Sequence, residues 1–186
     1  MIAQALPLIR TDRLLLRPFD LADAGIVQRL AGDFEVAKTS LTIPHPYADG
    51  VAATWIVDHD ANFERGLSLT LAIIMSAPSQ LIGAISLRME KRFSHAEMGY
   101  WIGRPYWNMG YATEAGRAVV DYGFRTLGLH RIFAHHMVRN PASGRVMQKL
   151  GMQYEGCMRE HGMRWEKFED LALYGILSSE YKAPMS

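Results

Sequence analysis

Three apolar runs follow one another with little between them: Leu67–Met75, Leu81–Arg88 and Ala96–Ile102. Each has the length of a strand and falls short of the ~18 residues an apolar helix needs to span a bilayer. Pro78 and Ser79 mark a tight turn between the first two, which predicts neighbours in one sheet. After Ile102 the order changes to strand and helix in alternation. Thr113–Leu127 has apolar residues at helical spacing (Ala115, Val119, Val120, Phe124, Leu127) and stops at Gly128. Arg131–Val138 reads as a strand and Pro141–Leu150 as a short helix ending at Gly151. Met152–Arg159 and Asp170–Leu177 read as closing strands. Upstream, Arg13–Arg17 is a strand stopped by Pro18. Asp20 caps a helix to about Ala31 whose apolar face is Ala24, Val27, Leu30 and Ala31. Thr42–Tyr47, with Pro44 and Pro46, is an extended loop, and a second helix runs from about Asp49 to Arg65, before Gly66. The sum is an α/β (α+β) fold with one mixed, mostly antiparallel sheet of about seven strands and about four flanking helices. Two helix-linked strand pairs in the C-terminal half allow local parallel pairing.

Nothing divides the 186 residues: there is no repeat, low-complexity tract or Pro/Ser-rich linker. A single domain over residues 1–186 is expected, with its ordered core at about 8–182. The formal charge of +1 lacks the clustered basic excess of a nucleic-acid binder or a polybasic membrane anchor. Met1–Pro7 has no basic region followed by a long apolar core, so no secretory signal is expected there. The one cysteine, Cys157, suits a reducing compartment. A cytoplasmic protein is the expectation, and a homodimer is left open.

The chemistry concentrates in Gly99–Glu114, where an apolar strand enters a turn at Pro105 and Gly110 stands just before a helix. A helix start leaves N–H groups unpaired and carries partial positive charge, so it attracts phosphate. Gly110, lacking a Cβ, would let a phosphate approach the backbone; equally, it would simply relieve strain in the joint. No Gly-x-x-x-x-Gly-Lys-Ser/Thr is present, and Gly103 and Gly110 do not make Gly-x-Gly-x-x-Gly. A nucleotide is therefore held here as a handle rather than cleaved.

Several segments carry a joint pattern: Thr-Asp-Arg-Leu-Leu-Leu-Arg-Pro (11–18), Glu-Met-Gly-Tyr-Trp-Ile (97–102), Trp-Asn-Met-Gly-Tyr-Ala-Thr-Glu-Ala (107–115) and Asn-Pro-Ala-Ser (140–143). Lys149-Leu-Gly-Met152 and then Glu155-Gly156 complete it. Together, and in this order, they resemble the RimJ/RimL branch of the GNAT N-acetyltransferase superfamily; no single segment is that specific. The resemblance implies acetyl-CoA as co-substrate, entering between two splayed central strands. It puts the pyrophosphate on backbone N–H groups of Asn108, Met109, Gly110, Tyr111, Ala112 and Thr113. It pairs the pantetheine arm with the backbone at Ile102 and Gly103, near Trp101, with Asn140 touching the same arm. The departure is Trp107, where the superfamily commonly has Gln or Arg; the loss of that polar group leaves amides and helix dipole to hold the phosphate.

Amide formation from a thioester needs a neutral amine, a polarised carbonyl and a protonated thiol leaving group. Glu97 is the first candidate base: among Ala96, Met98 and Tyr100, partial burial would raise its pKa. The alternative is an edge carboxylate paired with Arg88 or Arg92. His45, His95, His135 and His136 compete, the last two on opposite faces of one strand. Their spacing suggests no metal site. Asn140 before Pro141 is a helix N-cap on its own merits. Ser143, one turn in, either faces solvent or, as the resemblance implies, protonates the departing thiolate. Trp55, Trp101, Tyr106, Trp107 and Trp165 read as core or cleft wall, and Cys157 as a small buried residue. The reading is direct acetyl transfer with both substrates bound together, the branch resemblance favouring the α-amine of a protein N-terminus. A small-molecule amine (amino acid, polyamine or antibiotic) is the alternative within the class, and a non-catalytic acyl-CoA sensor the alternative outside it. Phe34–Tyr47 and Glu160–Asp170 form the acceptor side.

Overall fold

The computed structural model describes residues 5–182. Met1–Gln4, within the segment read for a signal, and Ala183–Ser186 lie outside the described residues, as do both ends of the expected 1–186 domain. Eight strands form one sheet in the order β1-β2-β3-β4-β5-β6-β8-β7. They are β1 Ile9–Arg10, β2 Leu14–Arg17, β3 Ser68–Met75, β4 Gln80–Glu90, β5 His95–Ile102, β6 Arg131–Met137, β7 Gln153–Arg164 and β8 Lys167–Leu177. Every neighbouring pair is antiparallel except β5 and β6. The helices are α1 Ala24–Ala31, α2 Phe34–Ala37, α3 Val51–Val57, α4 His59–Glu64, α5 Tyr111–Arg125 and α6 Pro141–Lys149. None is long and apolar enough to cross a membrane.

The mixed sheet and its flanking helices are as the periodicities predict, with four differences. The eighth strand, β1, is two residues long, too short to show alternation. The helix expected over Asp49–Arg65 is interrupted at Asp58, although the buried stripe Ala52, Ile56, His59, Phe63 keeps helical spacing across the break. One extra turn, α2, is capped by Asp33, whose Oδ1 accepts the Glu35 N–H at 2.7 Å. Finally, only one of the two helix-linked strand pairs is a hydrogen-bonded parallel pair; β6 and β7 run the same way but are not neighbours. β8 lies between β6 and β7, and the long β7–β8 hairpin is antiparallel, turning at Trp165 and Glu166 (φ 47° and 62°).

Alternation along the strands separates two cores. Leu71, Ile73, Leu87, Met98, Ile132 and Ala134 face α5 and α6, which contribute Ala115, Val119, Val120 and Met147. On the other face Ala72, Ile74 and Leu81 meet Val27, Leu30, Ala52 and Ile56 of α1 and α3. Cys157, expected inside, is exposed, because β7 is an outer strand of the sheet. Trp165 is exposed too; it sits at the hairpin turn, stacked on Phe34 with ring centroids 5.3 Å apart.

The start of α1 is fixed by a 3-10 turn, Leu21–Asp23. Asp20 accepts from the Ala22 N–H at 2.8 Å, and buried Asp23 accepts from the Asp20 N–H at 2.8 Å. The guanidinium of Arg17, the last residue of β2, grips Asp23 with bonds of 2.7 and 2.8 Å. Burial opposes ionisation of Asp23, yet the bonds from Arg17 and the Asp20 backbone hold its pKa below the ordinary value. A depressed carboxylate stabilises the fold above its unfolded pKa and loses that contribution as pH falls through the folded one. Asp23→Asn is therefore expected to cost about 1–3 kcal/mol at pH 7. In urea unfolding, the gap from wild type should narrow as the pH falls from 3.8 down through the depressed folded pKa.

Candidate active site

β5 and β6 begin side by side and then part. Their pairing covers only His95–Glu97 with Arg131–Phe133. Each strand keeps its other neighbour well past that point, β5 on β4 as far as Ile102 and β6 on β8 as far as Met137. The gap opens into a cleft of about 1050 Å³ lined by both strands, the starts of α5 and α6, and the 36–47 segment. Gly103 donates its N–H to the Ile82 carbonyl (2.8 Å) on β4. Strand alternation then turns the N–H groups of Tyr100 and Ile102 toward the gap.

This corrects the expected pantetheine ladder. The Gly103 N–H is used by Ile82 and its carbonyl accepts from the Tyr106 N–H at 2.9 Å. A Cβ there would meet Leu30 at 3.0 Å, so the glycine serves packing against α1. Trp101, paired with Ala84, likewise directs its backbone to β4. Of the three, Ile102 alone keeps an N–H toward the cleft, while its carbonyl accepts from Trp107 Nε1 at 2.6 Å. Trp107, which lacks the family's polar side chain, thus fastens the turn instead.

The start of α5 is open. Among the described residues no protein acceptor meets the backbone N–H groups of Asn108, Met109, Gly110, Tyr111, Ala112 or Thr113, and the first intrahelical bond runs from Glu114 N–H to the Gly110 carbonyl (3.0 Å). Asn108 and Gly110 are left-handed (φ 62° and 83°). A Cβ on Gly110 would point to Arg13 Nη2 at 3.4 Å, an ordinary contact. What requires glycine is therefore its φ, rather than room for a ligand. The loop is held from outside the cleft. Glu114 accepts from Thr11 Oγ1 (2.6 Å), the Arg13 N–H (2.9 Å) and Arg13 Nε (2.7 Å), while Arg13 Nη1 donates to the Met109 carbonyl (3.0 Å). Burial works against the Glu114 charge, but these donors keep its pKa below the ordinary value.

Two polar groups flank the gap on opposite faces of the sheet. On one face Glu97 Oε1 lies 3.0 Å from His135 Nδ1, and Oε2 is bonded by the Arg88 guanidinium. The bond from His135, outweighing burial and assisted by Arg88, lowers the Glu97 pKa. The expectation of a raised pKa is overturned, because two donors outweigh burial; of the alternative reading, the pairing with Arg88 is present, although β5 is a central strand and not an edge. An ionised carboxylate only accepts, so His135 Nδ1 carries the hydrogen and Nε2 is left free. On the other face the Tyr100 hydroxyl is 2.6 Å from Ser143 Oγ and 3.1 Å from the Ser143 carbonyl. Burial pushes the Tyr100 pKa up to about 12. Ser143 sits in the first turn of α6, below the N-cap Asn140, whose Oδ1 accepts the Ser143 N–H at 3.4 Å. Ser143 is thus half-buried against Tyr100 rather than simply solvent-facing.

His45 and His95 are placed elsewhere, while His136 also lines the cleft, from the α6 face. His45 Nδ1 lies 3.1 Å from the Gly32 carbonyl, its ring beside Phe34 and Trp165. His95 packs on Phe133, and His136 is buried toward α6 with Nδ1 2.8 Å from the Met137 carbonyl. Trp55, Trp101, Tyr106 and Trp107 line the cleft. Tyr100 and the Arg13–Glu114 clasp were missed by sequence reasoning. Alternation from Met98 could have placed Tyr100 on the α6 face; the clasp joins residues about a hundred positions apart and leaves no local signal.

With this geometry in view, residues 13–153 match the acetyltransferase (GNAT) domain family, and the chain belongs to it. It is 31% identical over 175 residues to the uncharacterised N-acetyltransferase p20 of Bacillus licheniformis, covering 92% of this chain and 96% of that one. A spermidine N(1)-acetyltransferase of Vibrio cholerae is 25% identical over 172 residues (91% and 96%). A ribosomal-protein-serine acetyltransferase of Escherichia coli K12 is 30% identical over 103 residues (54% and 58%). In structure the chain is similar to a GNAT-family acetyltransferase from Bacillus anthracis, with TM-score 0.84 at 28% identity, covering 94% and 100%. The protein is an acyltransferase with the GNAT fold, a family that uses acetyl-CoA.

Asn108→Asp tests the start of α5, since both residues tolerate a left-handed φ and only the charge differs. A carboxylate at this helix start should cost about 1 kcal/mol of binding, or roughly fivefold in the Kd for acetyl-CoA. Calorimetric titration checks this, with Tm expected to stay unchanged.

Proposed function

We propose that the protein transfers acetyl from acetyl-CoA to a primary amine in a ternary complex, the acceptor being the α-amine of a protein N-terminus. The observation that carries the reading is the parted β5–β6 pair, with unpaired loop amides at one end and a polar pair on each face. Acetyl-CoA, when bound, supplies the thioester that the amine attacks. The backbone N–H groups of residues 108–113 hold the diphosphate, Asn140 meets the pantetheine arm, and the Ile102 N–H is the donor available to the thioester carbonyl.

Proton traffic divides between the two faces. His135 Nε2 accepts the ammonium proton of the acceptor, and Glu97, ionised and bonded to Nδ1, orients the imidazole and stabilises its charged form. Ser143 Oγ relays to the departing sulfur the second proton that the nitrogen sheds as the tetrahedral intermediate collapses, so the serine hydroxyl is restored, and Tyr100 holds it in place. The RimJ/RimL-like motifs and the ribosomal-protein acetyltransferase among the relatives support a peptide acceptor. The single cysteine fits a cytoplasmic setting.

The experiment is release of free thiol from acetyl-CoA in the presence of amine-terminated peptides. Turnover supports the reading, whereas tight acetyl-CoA binding with no release on any acceptor marks a sensor and overturns it. His135→Gln should lower kcat by about 10²–10⁴-fold with acetyl-CoA binding intact. If Glu97 were itself the base, that variant would keep most of its activity. Tyr100→Phe should lower kcat about tenfold, and Tyr100→Phe/Ser143→Ala should be no slower than Ser143→Ala alone, because the two hydroxyls act as one unit.

A further inference from the structure

We infer that the acceptor is a monoamine carried on an apolar body, and that polyamines are rejected. The inference rests on the cleft being the acceptor site of an acetyl transfer, and it concerns the half of the cleft on the Glu97 and His135 face. That half is roofed by α2 and the following loop and walled by α1 and α3, with Val36, Leu41, Ile43, Tyr47 and Trp55 facing in. A polycation threaded here would lose water along its length and meet no compensating charge.

Among the described residues lining the cleft, Glu97 is the one carboxylate. Both of its oxygens are taken, by His135 and by Arg88. Four acidic groups outside the cleft lining are engaged elsewhere. Glu35 pairs with Lys38 at 2.7 Å, Glu169 with Arg139 at 2.8 Å, and Asp170 accepts the Glu160 N–H at 2.7 Å. Asp49 accepts from Gln28 Nε2 at 2.7 Å. The exposed charge beside the reacting position is a cation, Arg88, with its side chain 76% exposed. A second ammonium on the acceptor would approach that guanidinium and, among the described residues lining the cleft, no free carboxylate. One ammonium can be discharged at His135; further ones cannot be satisfied.

The test compares kcat/KM by thiol release with acetyl-CoA and four acceptors: an alanine-terminated peptide, phenethylamine, spermidine and spermine. The peptide or phenethylamine should exceed both polyamines by at least about a hundredfold, a ratio equal to two factors of ten in binding terms. Spermidine turned over as well as either monoamine overturns the inference. Peptide and phenethylamine are the two sources of the same chemistry, and their ratio tells which one the cleft receives. Thr42→Glu, at an exposed position lining the cleft, should raise spermidine turnover by about fivefold at low salt and not at high salt. No gain at low salt overturns the electrostatic argument. Acetyl-CoA binding with no thiol release for any acceptor overturns the acetyl-transfer reading, and this inference with it.

Discussion

The parting of β5 from β6 is the constraint on which the rest depends. A sheet interior normally satisfies every backbone N–H and C=O, and leaving them unpaired away from water is costly. Here two parallel neighbours share three residue pairs and then diverge, while each remains pinned to its antiparallel partner. The antiparallel ladders on either side make the divergence stable. Backbone groups of a central strand are thereby presented to a ligand in extended conformation.

That gap also organises the chemistry. Successive residues of a strand point to opposite faces, so Glu97 and Tyr100, three apart on β5, fall on different sides of the sheet. Each meets a partner from across the opening, Glu97 with His135 on β6 and Tyr100 with Ser143 on α6. The carboxylate–imidazole pair and the hydroxyl pair are thus separated by the thickness of the sheet. The partners also set ionisation: Glu97 is held charged by two donors, while burial keeps Tyr100 protonated.

Much of this was legible in order along the chain. The strand succession, the helix before Gly128, the Asn140 cap and the loop leading to Gly110 all follow from periodicity and from residues with narrow backbone preferences. The direction of the Glu97 shift was not legible. Burial alone argues for a raised pKa, and only the arrival of His135 and Arg88 reverses it. The role given to Gly103 failed similarly, because its N–H and carbonyl are consumed by Ile82 and Tyr106. Which amide of a strand faces a gap depends on register, and register comes from pairing.

Local properties were determined by the sequence itself: which segments are strands and helices, and where they stop. These follow from side-chain periodicity, capping and φ restriction, which act over a few residues. Tertiary structure decided which strands part, which carboxylate is ionised, and how Thr11 and Arg13 steady a loop about a hundred residues away. Those outcomes arise from contacts between distant segments, whose energies depend on distance and burial, and neither exists until the chain has folded.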